Sequence, residues 1–465
     1  MASENASTLP DETMSFVLRQ TELAKAGLRL GQLTIQGRPT ISTPTFIAPT
    51  SRGVIPHVTQ DVLSKLTRVP AVYIGLEDFI EKTPQKAPVF HLASQASSRL
   101  RDFIALPSDC VSILGPRRVP ALECPNQNTN SSIAICTSVG FKSLNVDDYV
   151  QNAQPLQADI TLSIADVVTN KQISQKRVEK SADRTHAWMK DTLTAGAEAE
   201  PNASTLFASI PPLEPHQQSF YLSDLCDEYK SEIRGIGLHS AETAANLPQA
   251  LQDLPRICLT NPESPHDILR AVALGNDMVT VSFVTETSEN GIAFSFSLDE
   301  SGEQSNEPLG FDLWDASHAT DISPLVKDCK CYTCTKHHRA YLHHLLSAKE
   351  MLAWTLLQIH NFHAIDRFFA EIREAIADGS FEQKSREFSR AYDVEVPKAS
   401  GQGPRIRGYQ MKSVGGGEPR KNRKAYGRLE EQARKLKEAE SGVATPEVET
   451  LAEDLENQGL GEVQK

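Results

Sequence analysis

The chain contains no stretch of about 18 consecutive apolar residues, the usual minimum for a membrane-spanning helix. Residues 1–18 contain neither lysine nor arginine and have no apolar core, so they resemble neither a secretory signal nor a mitochondrial transit peptide. We therefore expect a soluble cytoplasmic protein.

Net positive charge is also missing. The chain has 47 lysines and arginines against 60 acidic residues, a net charge of −13. Proteins that hold nucleic acid on a broad basic face obtain most of their non-specific affinity by neutralising phosphates. The charge therefore argues against such a face, and any RNA contact must be local or come from a partner subunit.

Cysteine is sparse outside one short segment. Five of the eight cysteines are scattered and are typical of small buried apolar residues: Cys110, Cys124, Cys136, Cys226 and Cys258. The other three lie within six residues: Cys329, Cys331 and Cys334. This distribution fits a reducing compartment, where clustered thiols bind metal rather than form disulfides.

The cysteine cluster is followed by 25 residues with a helical pattern and then by His360. Zinc prefers a tetrahedral shell of sulfur and imidazole ligands, and a closed set of three cysteines and one histidine leaves no open position for catalysis. The sequence predicts one structural Zn²⁺ per chain, held by Cys329, Cys331, Cys334 and His360. Five other histidines remain as alternatives for the fourth ligand: His337, His338, His343, His344 and His363.

Short apolar runs alternate with helical patterns from Phe16 to about Leu325. Runs such as TPTFIAP, AVYIGL and DMVTVSF have the length of strands and are bounded by proline, glycine or polar residues. This alternation predicts an α/β fold with a parallel sheet, and its length suits a (β/α)₈ barrel of the TIM type, with an open sheet as the alternative. Residues 192–203 and 285–310 have the composition of loops.

The C-terminal part has two different compositions. Residues 335–376 have the pattern of two helices, and one apolar face of the second is expected to be core: Ile365, Phe368, Phe369, Ile372 and Ile376. Residues 401–437 carry eleven lysines and arginines against three glutamates, and residues 438–465 carry eight acidic residues against one lysine. Such blocks do not build a core, so we predict a disordered charged tail.

Four regions follow from these patterns: a flexible N-terminus (1–15), a barrel (16–325), a zinc-binding helical module (326–398) and the tail (399–465). The basic part of the tail is interpreted either as a solvated linker or as an RNA-binding segment.

The segment that holds the cysteine cluster resembles the zinc-binding C-terminal part of tRNA-guanine transglycosylases, which exchange a tRNA guanine for queuine or its precursors. The pattern in that family is C-x-C-x₂-C with a histidine 26 positions after the last cysteine, and Cys334 and His360 have this spacing. Weaker likenesses occur at residues 25–63, 143–168 and 261–281, so the resemblance covers roughly residues 15–395.

The resemblance implies a carboxylate that attacks the ribose and expels guanine, and a second carboxylate that acts as acid and base. The nucleophile belongs to the phrase D-M-F-D-C-V, and the matching run 277–281 has Thr280 at that position. The phrase D-S-G-G-F-Q, which carries the second carboxylate, does not occur. Residues 210–213 replace the base-reading Q-G-G phrase, and residues 285–291 replace the arginine-bearing phrase PTR-x-AR-x-G.

Two aspartates, Asp159 and Asp166, are expected near the former pocket. Asp166 is interpreted either as a vestige of base recognition or as a solvated or helix-capping residue. No catalytic residue and no cofactor other than zinc are predicted.

The metal-ligand spacing and the strand pattern of the family are kept, whereas the phrases that carry its two catalytic carboxylates, its base-reading loop and its arginines are missing. We therefore expect a non-catalytic subunit that forms a heterodimer with the catalytic subunit of queuine tRNA-ribosyltransferase. It would support exchange at the wobble position and reach tRNA through the complex. The alternatives are an active transglycosylase with displaced carboxylates and a zinc scaffold without a tRNA role. The resemblance to animal members adds peripheral association with the mitochondrial outer membrane to the expected location.

Overall fold

The computed structural model describes residues 13–19, 27–81, 85–92, 98–124, 127–168, 174–197, 205–299 and 306–404. Most of the predicted flexible N-terminus, residues 1–12, lies outside the described residues. The predicted tail lies outside them from residue 405 onward.

The secondary structure alternates strands and helices over most of the described chain. The strands are β1 Met14–Arg19, β2 Leu30–Ile35, β3 Ile41–Thr43, β4 Thr45–Pro49, β5 Ala71–Gly75, β6 Val111–Gly115, β7 Ser132–Thr137, β8 Gly140–Asn145, β9 Ile160–Leu162, β10 Thr205–Ile210, β11 Gly235–Leu238, β12 Arg256–Cys258, β13 Met278–Thr280, β14 Ile292–Phe294 and β15 Gly310–Asp312. The helices are α1 Gln60–Lys65, α2 Arg99–Phe103, α3 Val146–Ala153, α4 Gln175–Ala197, α5 Ser219–Asp227, α6 Pro265–Ala273, α7 Ser282–Glu289, α8 Tyr332–Lys336, α9 Arg339–Ser347, α10 Met351–Ala377 and α11 Phe381–Ala391.

Eight parallel strands close into a barrel in the order β4-β5-β6-β9-β10-β11-β12-β13, with β13 pairing back to β4. Apolar side chains alternate between the two faces of each strand. On β4, Ile47 packs inside the barrel with Phe207 and Met278, whereas Phe46 packs outside against helices. The closed barrel confirms the predicted α/β barrel over the open sheet.

The antiparallel sheet β1–β3 closes the N-terminal end of the barrel, because β3 leads directly into β4 and its apolar residues join the interior. The buried Asp277 and the partly buried Asp159 fix it there. Asp159 contacts Arg38 at 3.0 Å and Arg101 at 2.6 Å, and Asp277 contacts Arg29 at 3.1 Å. The expectation that Asp159 lies near the former pocket is therefore wrong. It directly precedes β9, which puts it at the opposite end of the parallel strands.

Helix α10 takes the place of an outer barrel helix beside β4. Phe46 lies 5.9 Å from Phe362 and 5.8 Å from Phe369 between ring centroids, and Arg373 donates to the carbonyl oxygen of Pro44 at 2.8 Å. The predicted apolar face of this helix is buried. One hydrophobic core therefore spans the sequence boundary proposed at residue 325.

Two stretches predicted as loops are partly regular. Helix α4 continues to Ala197, and residues 285–310 contain most of α7 as well as β14. The polar composition of α7 is misleading because its buried hydroxyls have internal partners. The hydroxyl oxygen of Ser288, for example, accepts a hydrogen bond of 2.9 Å from the side-chain amide of Asn361. None of the helices within the described ranges is long and apolar enough to cross a membrane.

We predict that Asp159→Ala destabilises the chain by about 3 kcal/mol, because the buried Arg101 and the partly buried Arg38 would lose the carboxylate that neutralises them. Asp159 also accepts hydrogen bonds from the amide and hydroxyl of Ser112, at 2.7 and 2.8 Å. Thermal unfolding of the full chain measures the effect. The control is Asp109→Ala, which removes an exposed aspartate just before β6. Equal melting temperatures for the two variants would contradict the anchoring role.

Candidate metal centre and barrel mouth

Three cysteines and one histidine come together beside the barrel. The ligand atoms of Cys329, Cys331, Cys334 and His360 all lie within 4.8 Å of one another, and all but Cys329 are buried. A left-handed residue, Asp328, turns the chain immediately before the first cysteine (φ 62°). The sulfur of Cys331 then caps α8 by accepting a hydrogen bond of 3.3 Å from the amide of Cys334.

The distances fit a tetrahedral metal. Bonds of about 2.3 Å to sulfur and about 2.0–2.1 Å to nitrogen put a sulfur and a nitrogen roughly 3.6 Å apart at a tetrahedral angle. The sulfurs of Cys329, Cys331 and Cys334 lie 3.8, 3.5 and 3.4 Å from Nδ1 of His360. The donor set and its spacing can therefore hold a metal ion.

The other ring nitrogen of His360 fixes its tautomer. Nε2 lies 2.8 Å from the carbonyl oxygen of Phe294 in β14, so the Nε2 proton is donated there and Nδ1 keeps its lone pair toward the sulfurs. Metal-binding histidines are commonly oriented by such an outer hydrogen bond. This contact ties the cluster to the short sheet β14–β15.

Without a metal ion, the thiols and the imidazole of the cluster would have pKa values shifted in different directions. Hydrogen bonds with the two other thiols, together with burial, raise the pKa of Cys331, whereas hydrogen bonds from Cys331 and Cys334 lower the pKa of Cys329. Burial acts to lower the pKa of His360, but hydrogen bonds with Cys329 and Cys334 outweigh it and raise that pKa to about 9. A dication would displace these protons, since its ligands must be deprotonated.

The competing histidines have other contacts. His338 caps α9 by accepting from the amide of Tyr341 at 3.2 Å, His337 stacks on the Tyr341 ring, and His343 bonds the carbonyl oxygen of Leu313 at 2.9 Å. His363 is close enough to act to lower the pKa of Cys329, but it does not belong to the group of four ligand atoms.

Thr280 lies at the end of β13 and is fully buried. Its hydroxyl hydrogen is shared between the carbonyl oxygens of Thr260 at 2.5 Å and Cys258 at 3.2 Å. A hydroxyl that already donates to two main-chain carbonyls has no base to take its proton. After β10, at the position expected for base reading, Pro211 and Pro212 have no N–H to offer.

Asp166 follows β9 at the mouth of the barrel and is completely buried. Arg177 binds both of its carboxylate oxygens at 2.7 Å, and Arg184 binds one at 3.1 Å. Asn128 donates to Asp166 at 2.6 Å and accepts from Arg117 at 3.0 Å. The solvated and helix-capping interpretations of Asp166 are therefore wrong, because it is the buried centre of an arginine network.

A pair of acidic residues, Glu77 and Asp78, follows β5 in the same part of the barrel. Arg118 contacts Glu77 and Asp78, each at 2.9 Å. Burial raises the pKa of both carboxyls, and the guanidinium of Arg118 opposes this. The second oxygen of Glu77 accepts from the amide of Cys136 at 2.8 Å. The carboxylates of Glu77, Asp78 and Asp166 at the barrel mouth therefore all form ion pairs with arginines.

Sequence reasoning missed the arginines that neutralise the mouth. Arg177 and Arg184 lie seven positions apart on one face of α4, which is two helical turns and a recognisable signal. Arg118 gave no signal, since its pairing depends on the adjacency of β5 and β6.

Comparisons with known proteins place these features in one family. A family model described as queuine tRNA-ribosyltransferase matches residues 25–394. A protein of Schizosaccharomyces pombe is 33% identical over 395 residues, covering 83% of this chain and 86% of its own length. Proteins of Anopheles gambiae and Drosophila melanogaster are 29% and 28% identical over 390 residues, covering 79% and 80% of this chain and 88% and 91% of their own lengths. All three relatives are named queuine tRNA-ribosyltransferase accessory subunit 2.

The family match extends over most of the described chain, and the yeast relative aligns along most of both proteins. The resemblance found in the sequence is thereby confirmed: this chain belongs to the queuine tRNA-ribosyltransferase family.

Proposed function

We propose that this chain is the non-catalytic subunit of a heterodimeric queuine tRNA-ribosyltransferase and supports exchange of guanine for queuine at the tRNA wobble position. The observation that carries the proposal is Thr280, whose buried hydroxyl donates to main-chain carbonyls where the family nucleophile is expected. The name shared by the relatives, accessory subunit 2, supports a catalytic partner.

The mouth of the barrel explains why displaced carboxylates are a weak alternative. A nucleophile must approach the anomeric carbon with a free oxygen, and a general acid must carry a proton near neutral pH. Glu77, Asp78 and Asp166 instead form ion pairs with Arg118, Arg177 and Arg184. The partner subunit would therefore supply the catalytic groups, and this barrel would supply binding surface for the partner subunit and tRNA.

We propose that the metal is Zn²⁺, one per chain, with a structural role. The donor set of three thiolates and one imidazole favours zinc, and four protein ligands leave no open position. When bound, the ion would join the segment Cys329–Cys334, which ends in α8, to α10 and so shape the outer surface of the module. The predicted cytoplasmic location and the association with mitochondria stay predictions.

Cys334→Ser should reduce the zinc content from about one ion per chain to near zero, because the closed shell loses one of its four ligands. Elemental analysis of purified protein measures this. Cys226→Ser is the matched control, since Cys226 is a free cysteine outside the cluster. A zinc-free wild-type chain, or equal zinc in both variants, would refute the assignment.

Thr280→Asp should not restore catalysis. The new carboxylate would face the carbonyl oxygens that now accept from the hydroxyl of Thr280, and it would lack a second acid and a base-reading loop. We expect no covalent adduct with tRNA on denaturing gels and a lower melting temperature than wild type. Adduct formation by this variant alone would show that the rest of the site is functional.

Loss of the metal should abolish assembly with the catalytic subunit. An obligate interface buries on the order of 2,000 Å² or more, and we propose that the metal-braced surface around α8 and α9 contributes to it. Sedimentation of Cys331→Ser mixed with the catalytic subunit tests this, with Cys226→Ser as the control. A metal-free variant that still forms the full heterodimer would exclude this role, and a wild-type chain that never pairs would favour the scaffold alternative.

A further inference from the structure

A cavity of about 260 Å³ lies between helix α10 and the antiparallel sheet β1–β3. Four residues of α10 line it: Ala370, Arg373, Glu374 and Ala377. Their spacing of three, four and seven positions puts them on one face of the helix. The short side chains of the two alanines leave a space between the helix and the sheet, and that space is the cavity.

The cavity lies at the N-terminal end of the barrel strands. Thr43, one of its lining residues, directly precedes Pro44 and β4, and Arg373 donates to the carbonyl oxygen of Pro44 at 2.8 Å. Thr280 ends β13 and Asp166 follows β9, so both lie at the other end of the parallel strands. The cavity is therefore separate from the barrel mouth, where the chemistry of the family is expected.

Each wall of the cavity contributes one arginine. Arg19 ends β1 in the sheet and is exposed, so the cavity opens to solvent, whereas Arg373 on α10 is partly buried. Within the described ranges, Arg19 makes no hydrogen bond or ion pair, and Arg373 bonds only the carbonyl oxygen of Pro44. The lining thus has two guanidinium groups against one carboxylate, that of Glu374, and no ion pair joins them.

The charge of Arg373 is poorly compensated by the protein. Burial lowers its pKa, and the negative charge of Asp366 opposes this effect without forming an ion pair. A charge that is partly withdrawn from water is costly unless an opposite charge accompanies it. An anion in the cavity would therefore be stabilised by Arg373 and, from the sheet side, by Arg19.

The lining also limits the kind of anion. A guanidinium group donates two parallel hydrogen bonds to a carboxylate or a phosphate, which favours oxyanions. Gln32 and Ser42 provide polar groups for neutral parts of a ligand, and Leu30 provides apolar surface. The carboxylate of Glu374 only accepts hydrogen bonds, so the ligand needs a donor such as a hydroxyl group. Pockets for drug-sized ligands begin at about 300 Å³, so this ligand is small.

We propose that this cavity binds a small hydroxylated organic oxyanion, a phosphate monoester or a carboxylate, between Arg19 and Arg373. The inference is independent of the proposed function, because it needs neither tRNA nor the catalytic subunit. The bound anion would connect the sheet β1–β3 to α10, the helix that carries His360, and would stabilise the folded chain by binding to it.

Binding to the full chain is measured by isothermal titration calorimetry at low ionic strength, because salt screens exposed charges. Three probes share one carbon skeleton and distinguish the two kinds of oxyanion: glycerol phosphate, glycerate and uncharged glycerol. At millimolar concentrations, we expect saturable binding of at least one of the two anions and none of glycerol.

The arginines are tested by Arg19→Gln and Arg373→Gln. Each should raise the dissociation constant of the bound anion about tenfold or more, because a charge-assisted hydrogen bond is lost. Arg390→Gln is the matched control, since Arg390 is exposed on α11 and does not line the cavity. Arg19→Gln should keep the melting temperature of the wild type, so its result stands even where Arg373→Gln loses stability with the bond to Pro44.

The space is tested separately by Ala377→Leu, which keeps both arginines and places a larger side chain in the cavity. We expect several-fold weaker anion binding. Ala187→Leu, at an exposed position of α4 outside the lining, should bind the anion like the wild type.

The proposal is overturned if neither anion binds the wild-type chain saturably, or if both arginine variants bind with wild-type affinity. Equal binding of glycerol would also contradict it, because the cavity would then not select charge. A loss of affinity in Arg390→Gln as large as in Arg19→Gln would have the same meaning, since it would reflect the overall charge of the chain rather than this cavity.

Discussion

The packing of α10 against β4 is the contact on which both halves of the structure depend. Phe362 and Phe369 lie on Phe46 of the barrel, and the same helix carries His360. The Nε2 proton of His360 bonds β14 while its Nδ1 faces the three sulfurs. Because α10 both packs against the barrel strands and carries His360, the cluster of three cysteines and one histidine is attached directly to the hydrophobic core. Its geometry therefore does not depend on any chemistry at the barrel mouth.

At the mouth, electrostatics determines what the barrel can do. Buried carboxylates are costly unless they are paired and hydrogen-bonded. Glu77 and Asp78 with Arg118, and Asp166 with two arginines, meet that requirement at the end of the barrel where substrates are usually handled. The pairing fixes these groups in place but removes the free oxygen that a nucleophile needs. Structural integrity and lack of reactivity therefore have the same physical origin.

Local patterns in the sequence predicted the parts of the fold that rest on local chemistry. Short apolar runs predicted the barrel strands, and the 3.6-residue periodicity predicted the buried face of α10. The choice of His360 among the histidines came from the resemblance to the family, whose ligand spacing it matches. Features made by distant residues were harder to predict. The partners of Asp166 lie on α4, and α7 is stabilised by Asn361, so composition alone suggested a solvated aspartate and a loop. The misplacement of Asp159 was avoidable, since a residue that precedes a parallel strand lies at the N-terminal end of the sheet.

In the proposed two-subunit enzyme, this barrel contributes a binding surface and no catalytic residues. Incorporation of labelled queuine into tRNA, measured for this chain alone, for the catalytic subunit alone and for the two mixed, tests it most directly. The account predicts no incorporation by this chain alone and robust incorporation by the mixture. Incorporation by this chain in the absence of its partner would contradict it.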